Sequence, residues 1–191
     1  MPRIVSVKRS GAQHRAITVS PRMMMTVVGE AAMNTSERLD VFRRITSDYV
    51  TYGPMRLALY QLAPSLVVTS SDTLAGTRMG VYDSQLETIV INRALSLDTK
   101  RCVLVHELAH WVYDDDSRPP YGAKRERHVR KAAADALIDA TRYAQAERMY
   151  EGDLWQIADE LGVYPGVVDD YRRLVISKEN RCTYGRCWPC D

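Results

Sequence analysis

His106-Glu107-Leu108-Ala109-His110 lies between the apolar approach Cys102-Val103-Leu104-Val105 and Trp111-Val112-Tyr113. On an α-helix, positions i and i+4 share one face, so these two imidazoles can reach a single metal ion. Glu107 is one step round, where a carboxylate can take a proton from a water that the metal activates. The pattern carries that chemistry only if its surroundings supply a helix and a third ligand. Helical periodicity begins at Asp98, a suitable cap, and runs through both histidines to about Tyr113.

N-terminal to this helix are three short extended runs. Leu66-Val67-Val68-Thr69 is β-branched and bounded by Ser and Asp, and residues Gly76 to Tyr82 and Leu86 to Asn92 flank Asp83-Ser84-Gln85, a hairpin loop. Before them a helix is predicted from Ser36, capped by Ser or Thr, with Phe42, Ile45 and Tyr49 on one face. Gly53-Pro54 is expected to break it, a second helix runs from Met55 to Leu62, and Pro64 closes that segment. After the histidines, Asp114 to Gly122 reads as a loop. One long helix is predicted from about Ala123 to Tyr150, then shorter ones near Asp153–Leu161 and Pro165–Val175. The chain divides into a loose arm (1–34), a core (35–150), a helical pair (151–176) and a cysteine-containing tail (177–191). The class is α+β.

Composition excludes several roles. The chain has 191 residues, 46% apolar and 26% charged, enough to build one core without disulfides. A net charge of +2 does not point to nucleic acid or an anionic membrane. No apolar run is long enough to span a bilayer. Met23-Met24-Met25-Thr26-Val27-Val28 is short for a signal peptide, and Gly29-Glu30 ends it without a cleavage site, so a cytoplasmic location is expected. Four cysteines do not form a disulfide framework; Cys102 is expected to pack as a small buried residue.

A catalytic zinc site keeps three protein ligands and one open position. After His110 the candidates are Glu126 and His128, with Asp114, Asp115 and Asp116 behind them. The Gly-containing elbow that leads metzincins to a third His is missing from Trp111-Val112-Tyr113. Residues 126 and 128 are about 200° apart on a helix and cannot both face one ion. Glu126 shares its face with Val129, Ala133 and Leu137. His128 shares its face with Lys124, Arg125, Lys131 and Asp135. A carboxylate on an apolar stripe needs a partner to be buried, and coordination supplies one; a Glu favoured by the helix dipole is the alternative.

Over roughly residues 36–175 the chain resembles the ImmA/IrrE-like zinc metallopeptidases. The resemblance rests on Leu57 to Val68, the hairpin Gly76 to Asn92, Asn92-Arg93-Ala94-Leu95-Ser96 leading into the paired histidines, and Glu126 to Leu137. It implies a zincin-like core: a three-stranded sheet packed on the histidine helix, with a long helix carrying the third ligand and a helical pair behind. It also implies that Glu126 joins His106 and His110 on Zn2+, that Glu107 is the general base, and that the substrate is a helix-turn-helix repressor of the phage or mobile-element kind. The chain departs from the family pattern at Ala109 (usually Gly), at Val129-Arg130 (usually Ala-Asn), at Ala132 (usually aromatic) and at Ile138-Asp139 (often Met-Pro).

Residues 155–174 resemble the family's helix-turn-helix-like segment. Pro165-Gly166 at the start of the second helix, and Asp169 and Asp170 along it, argue instead for two helices packed on the core. By analogy with other zinc peptidases, strand Leu86–Asn92 is expected at a sheet edge where an extended substrate could pair. Tyr113, Tyr121 and His128 are candidates to stabilise an oxyanion. Cys182, Cys187 and Cys190 have ligand-like spacing but lack a fourth donor, and are expected to be reduced thiols. The basic run Lys124, Arg125, Arg127, Arg130 and Lys131 reads as a solvated helical face. Competing readings are a non-catalytic repressor-binding module with a vestigial metal site, and a SprT-like protease. The first leaves Glu107 without a purpose; the second calls for four tail cysteines.

Overall fold

Asn34, rather than Ser or Thr, caps the first helix. In the computed structural model, which describes residues 33–74, 76–113 and 122–176, the Asn34 side chain accepts from the Ser36 and Glu37 amides. Glu37 reaches back to the Asn34 N–H at 2.8 Å, completing a capping box. The expectations for the arm to residue 32, for Met23 to Val28, for Asp114, Asp115, Asp116 and Tyr121, and for the tail cysteines fall outside the described residues.

Helix α1 (Thr35–Asp48) buries Val41, Phe42 and Ile45. Helix α2 (Tyr52–Leu62) includes Gly53-Pro54 instead of starting after them. Pro54 falls in the first turn, where amides have no intrahelical acceptor and a missing N–H does no harm. Strands β1 (Val67–Ser71), β2 (Gly80–Asp83) and β3 (Thr88–Asn92) form one sheet in the order β1-β3-β2. β1 runs parallel to β3, with Val68 opposite Ile89, and β2 runs antiparallel to it, with Tyr82 opposite Ile89. The strand expected at an edge is therefore the central one: the hairpin fills one side of β3 and β1 fills the other.

Ile89 and Ile91 are fully buried, each stabilising the sheet–helix interface by about 1.5–3 kcal/mol relative to exposure. They pack with Val68, Met55, Leu59 and Ile45 against helix α3 (Leu97–Val112). Ser96 caps α3, its Oγ accepting from the Thr99 amide, and Asp98 sits in the first turn, where it favours the dipole. Leu104, Val105, Leu108, Ala109 and Trp111 are all buried, so α3 is enclosed on nearly every side.

The single long helix expected after the loop is two. Helix α4 (Gly122–Leu137) stops, and α5 (Ala140–Met149) starts from Asp139, whose side chain accepts from the Arg142 amide. A capping Asp in an extended conformation ends the helical run whatever the apolar periodicity around it. Helices α6 (Leu154–Leu161) and α7 (Pro165–Asp170), with a π-helical turn at Tyr171–Val175, pack back onto α4 and α5 through a second apolar cluster. Its centre is Ala134, Ile138, Tyr143, Ile157, Val168 and Tyr171. Cys102 joins that cluster as a buried free thiol, accepting from the Tyr164 amide. Among the described residues no helix is long and apolar enough to cross a membrane.

Arg38 locks the sheet to the end of α3. It donates to the Trp111 carbonyl at 2.9 Å and to Glu87 at 2.8 Å, with its guanidinium 5.2 Å from the Trp111 ring centroid. Glu87 closes the β2–β3 turn at φ 44°. Arg38→Ala should lower unfolding stability by about 2–4 kcal/mol in urea titrations, because it strands a buried carbonyl and a half-buried carboxylate. Arg38→Lys should restore less than half of it, since one ammonium cannot form both contacts.

Candidate metal centre

α3 presents His106 and His110 one turn apart, their ring centroids 4.9 Å from each other and edge-on. α4 crosses beside them and brings Glu126. The His106 and His110 Nε2 atoms are 3.3 Å apart; Glu126 Oε1 lies 3.6 Å from His106 Nε2, and Oε2 lies 3.3 Å from His110 Nε2. Donors about 2.0–2.1 Å from a zinc ion in tetrahedral arrangement are about 3.3 Å from one another. Two imidazoles and one carboxylate at these separations fit zinc in both donor chemistry and spacing. Among the described residues they form the one cluster of three such donors.

The electrostatics suit a cation. Burial holds the His106 pKa below its ordinary value, opposed by the Glu126 charge, so the ring is neutral and its lone pair free to coordinate. Glu126 is held below the usual carboxylate range, first by a hydrogen bond with His110 and against the pull of partial burial. It is ionised, as a ligand must be.

Glu107 is buried under the sheet, on the other flank of the histidines. Burial pushes its pKa up to about 7, while His110 and the Tyr82 backbone N–H pull the other way. A carboxylate poised near neutrality both accepts and returns a proton readily. The β2 backbone makes this possible. Met79 accepts from the Asn92 amide, so in the alternating antiparallel ladder Gly80 and Tyr82 turn their backbone groups outward, toward α3.

Gly80 is the close approach that nothing in the motif announces. A Cβ there would lie 2.4 Å from Val103 Cγ1 and 3.0 Å from Glu107 Oε1. Gly80→Ala should push β2 off α3 and cost about 1–3 kcal/mol in thermal unfolding. The local signal for such a site is a Gly inside a strand pattern.

His128, the other candidate third donor, is not in the cluster. It stands edge-on to Tyr113 at 4.6 Å between ring centroids. The two, with Lys124, Arg125, Arg127 and Lys131, border a cleft of about 590 Å³. Arg130 leaves that basic face and instead pairs with the buried Asp170. Sequence reasoning also missed that pair, because forty positions separate its members and no local pattern joins them.

Residues 64–171, more than half of the chain, match the peptidase family model described as the IrrE N-terminal-like domain. No curated protein matches the chain. Its fold is similar to that of a Mycobacterium tuberculosis transcriptional regulator, at 14% identity and a TM-score of 0.53, over 76% of this chain and 49% of the regulator. The chain thus spans about half of that protein's length, and at this identity the likeness concerns fold alone.

Proposed function

As the chain belongs to the peptidase family of IrrE N-terminal-like domains, we propose that it is a zinc metalloendopeptidase of zincin type that cleaves a helix-turn-helix transcriptional repressor in the cytoplasm. The observation that carries this reading is the meeting of His106, His110 and Glu126 donor atoms beside the buried carboxylate of Glu107. A purely structural metal site has no use for a general base at that place.

His106, His110 and Glu126 would hold the zinc, which when bound supplies Lewis acidity to a water and to the scissile carbonyl. Glu107, through the carboxylate that faces Gly80, takes the proton of the attacking water and later delivers it to the leaving amine. The Tyr82 N–H holds that carboxylate in place. An extended substrate would find both sides of β3 already paired; the outer strand β2, in contact with Glu107, is the edge strand beside the proposed base. Of the oxyanion candidates, Tyr113 and His128 stand against each other and outside the donor cluster.

A repressor substrate is supported by the family resemblance. The test is direct. The purified protein, loaded with zinc, is mixed with helix-turn-helix repressors of its own host, starting with any whose gene adjoins its own, and peptide bonds are followed by mass spectrometry. Cleavage should appear with zinc and vanish with a chelator. An intact repressor bound stoichiometrically to the zinc-loaded protein would support sequestration without cleavage and overturn this reading.

A further inference from the structure

Beyond the three donors, Arg130 and Asp170 form a polar pair on the helix that carries Glu126 and the helix packed against it. Glu126 and Arg130 are one turn apart on α4 and share a face. Arg130 donates through Nε to Asp170 Oδ2 at 2.9 Å and through Nη2 to Oδ1, a two-point fork. The Asp170 side chain is 13% exposed and the Arg130 side chain 44% exposed, so the carboxylate is the fixed half.

A Glu followed four residues later by Arg is the favourable order for an ion pair along a helix. An unheld Arg130 would turn to Glu126 and take the same carboxylate oxygens that now face His106 and His110. Asp170 prevents this by occupying both arms of the guanidinium. We propose that Asp170 and Arg130 are a positioning pair for the metal centre: α7 clamps a cation beside Glu126 while keeping it from competing with the metal for that carboxylate. The C-terminal helices are then part of the site and not only its support.

This role rests on the metal reading given above, and zinc itself is the probe. Zinc affinity is measured by competition with a chromophoric chelator, and folding by circular dichroism. Asp170→Asn keeps the shape of the side chain but gives up its charge, so it should release Arg130 and weaken zinc binding about tenfold. Adding Arg130→Gln removes the freed competitor and should bring affinity back to within about threefold of wild type. A merely structural pair predicts the reverse, with the double variant no better than the single one. Arg130→Lys, which keeps the charge but cannot form the fork, should also lose several-fold, and it serves if Asp170→Asn fails to fold. Wild-type affinity in Asp170→Asn or in Arg130→Lys, or no recovery in the double variant, overturns the proposal. A wild-type protein that binds no zinc overturns the metal reading first, and this role with it.

Discussion

Glu107→Gln should lower the cleavage rate by a factor on the order of 10²–10⁴, the usual contribution of a positioned acid–base group, while zinc affinity stays within about threefold of wild type. The amide fills the same space beneath Gly80, and its oxygen can still accept from the Tyr82 N–H, but it cannot take the proton of a water. The same substitution has a second readout in the metal-free protein. The Glu107 pKa is raised from 4.5 to about 7 on folding. Between those values the folded state binds the proton and the unfolded state does not, so the penalty from this group is absent at low pH and grows as pH rises toward 7. The loss is on the order of 3 kcal/mol, complete above neutrality. Metal-free Glu107→Gln should therefore be more stable than metal-free wild type at pH 8, and the two should converge near pH 4.5. A variant that cleaves at the wild-type rate dismisses Glu107 as the base, whatever its stability.

The second large effect is expected at Glu126. Removing one of three protein ligands should weaken zinc by more than about 100-fold, beyond what loss of a supporting contact does. His128→Ala, whose ring stands against Tyr113 and away from the cluster, should bind zinc as wild type does. Thermal unfolding reports the same difference without any substrate. At free zinc 100 times the dissociation constant, a ligand bound only by the folded state adds about 2.7 kcal/mol. For a domain of this size that raises Tm by roughly 5–10 °C. Wild type and His128→Ala should show this rise, and Glu126→Ala should show almost none at the same concentration. Equal rises in all three would remove Glu126 from the ligand set.

Much of this was legible in the chain because it depends on local periodicity. Two histidines four apart and a glutamate between them need only a helix to share a region, and the apolar run from Cys102 ensures one, although its cap is Ser96 and not the expected Asp98. The alternating strands, the hairpin at Asp83 and the Asp153 cap are likewise set within a few residues; the Asp83 side chain accepts from the Gln85 and Leu86 amides. The placement of Glu126 on the same side of its helix as Val129 and Ala133 follows from 3.6 residues per turn. In the structure Val129 and Ala133 are buried, and Glu126 lies against both imidazoles.

The helix that carries His106, Glu107 and His110, the three strands and the α+β class thus follow from the order of residues alone, since each is dictated by contacts between near neighbours along the chain. Strand order, the burial of Glu107 beneath Gly80, the distances at which Glu126 meets the two imidazoles, and the union of Arg130 with Asp170 were decided only in three dimensions. These depend on which backbones approach within a few ångströms after α3, α4 and α7 have packed. That approach is governed by the shared apolar core and leaves no periodic trace in the residues it brings together.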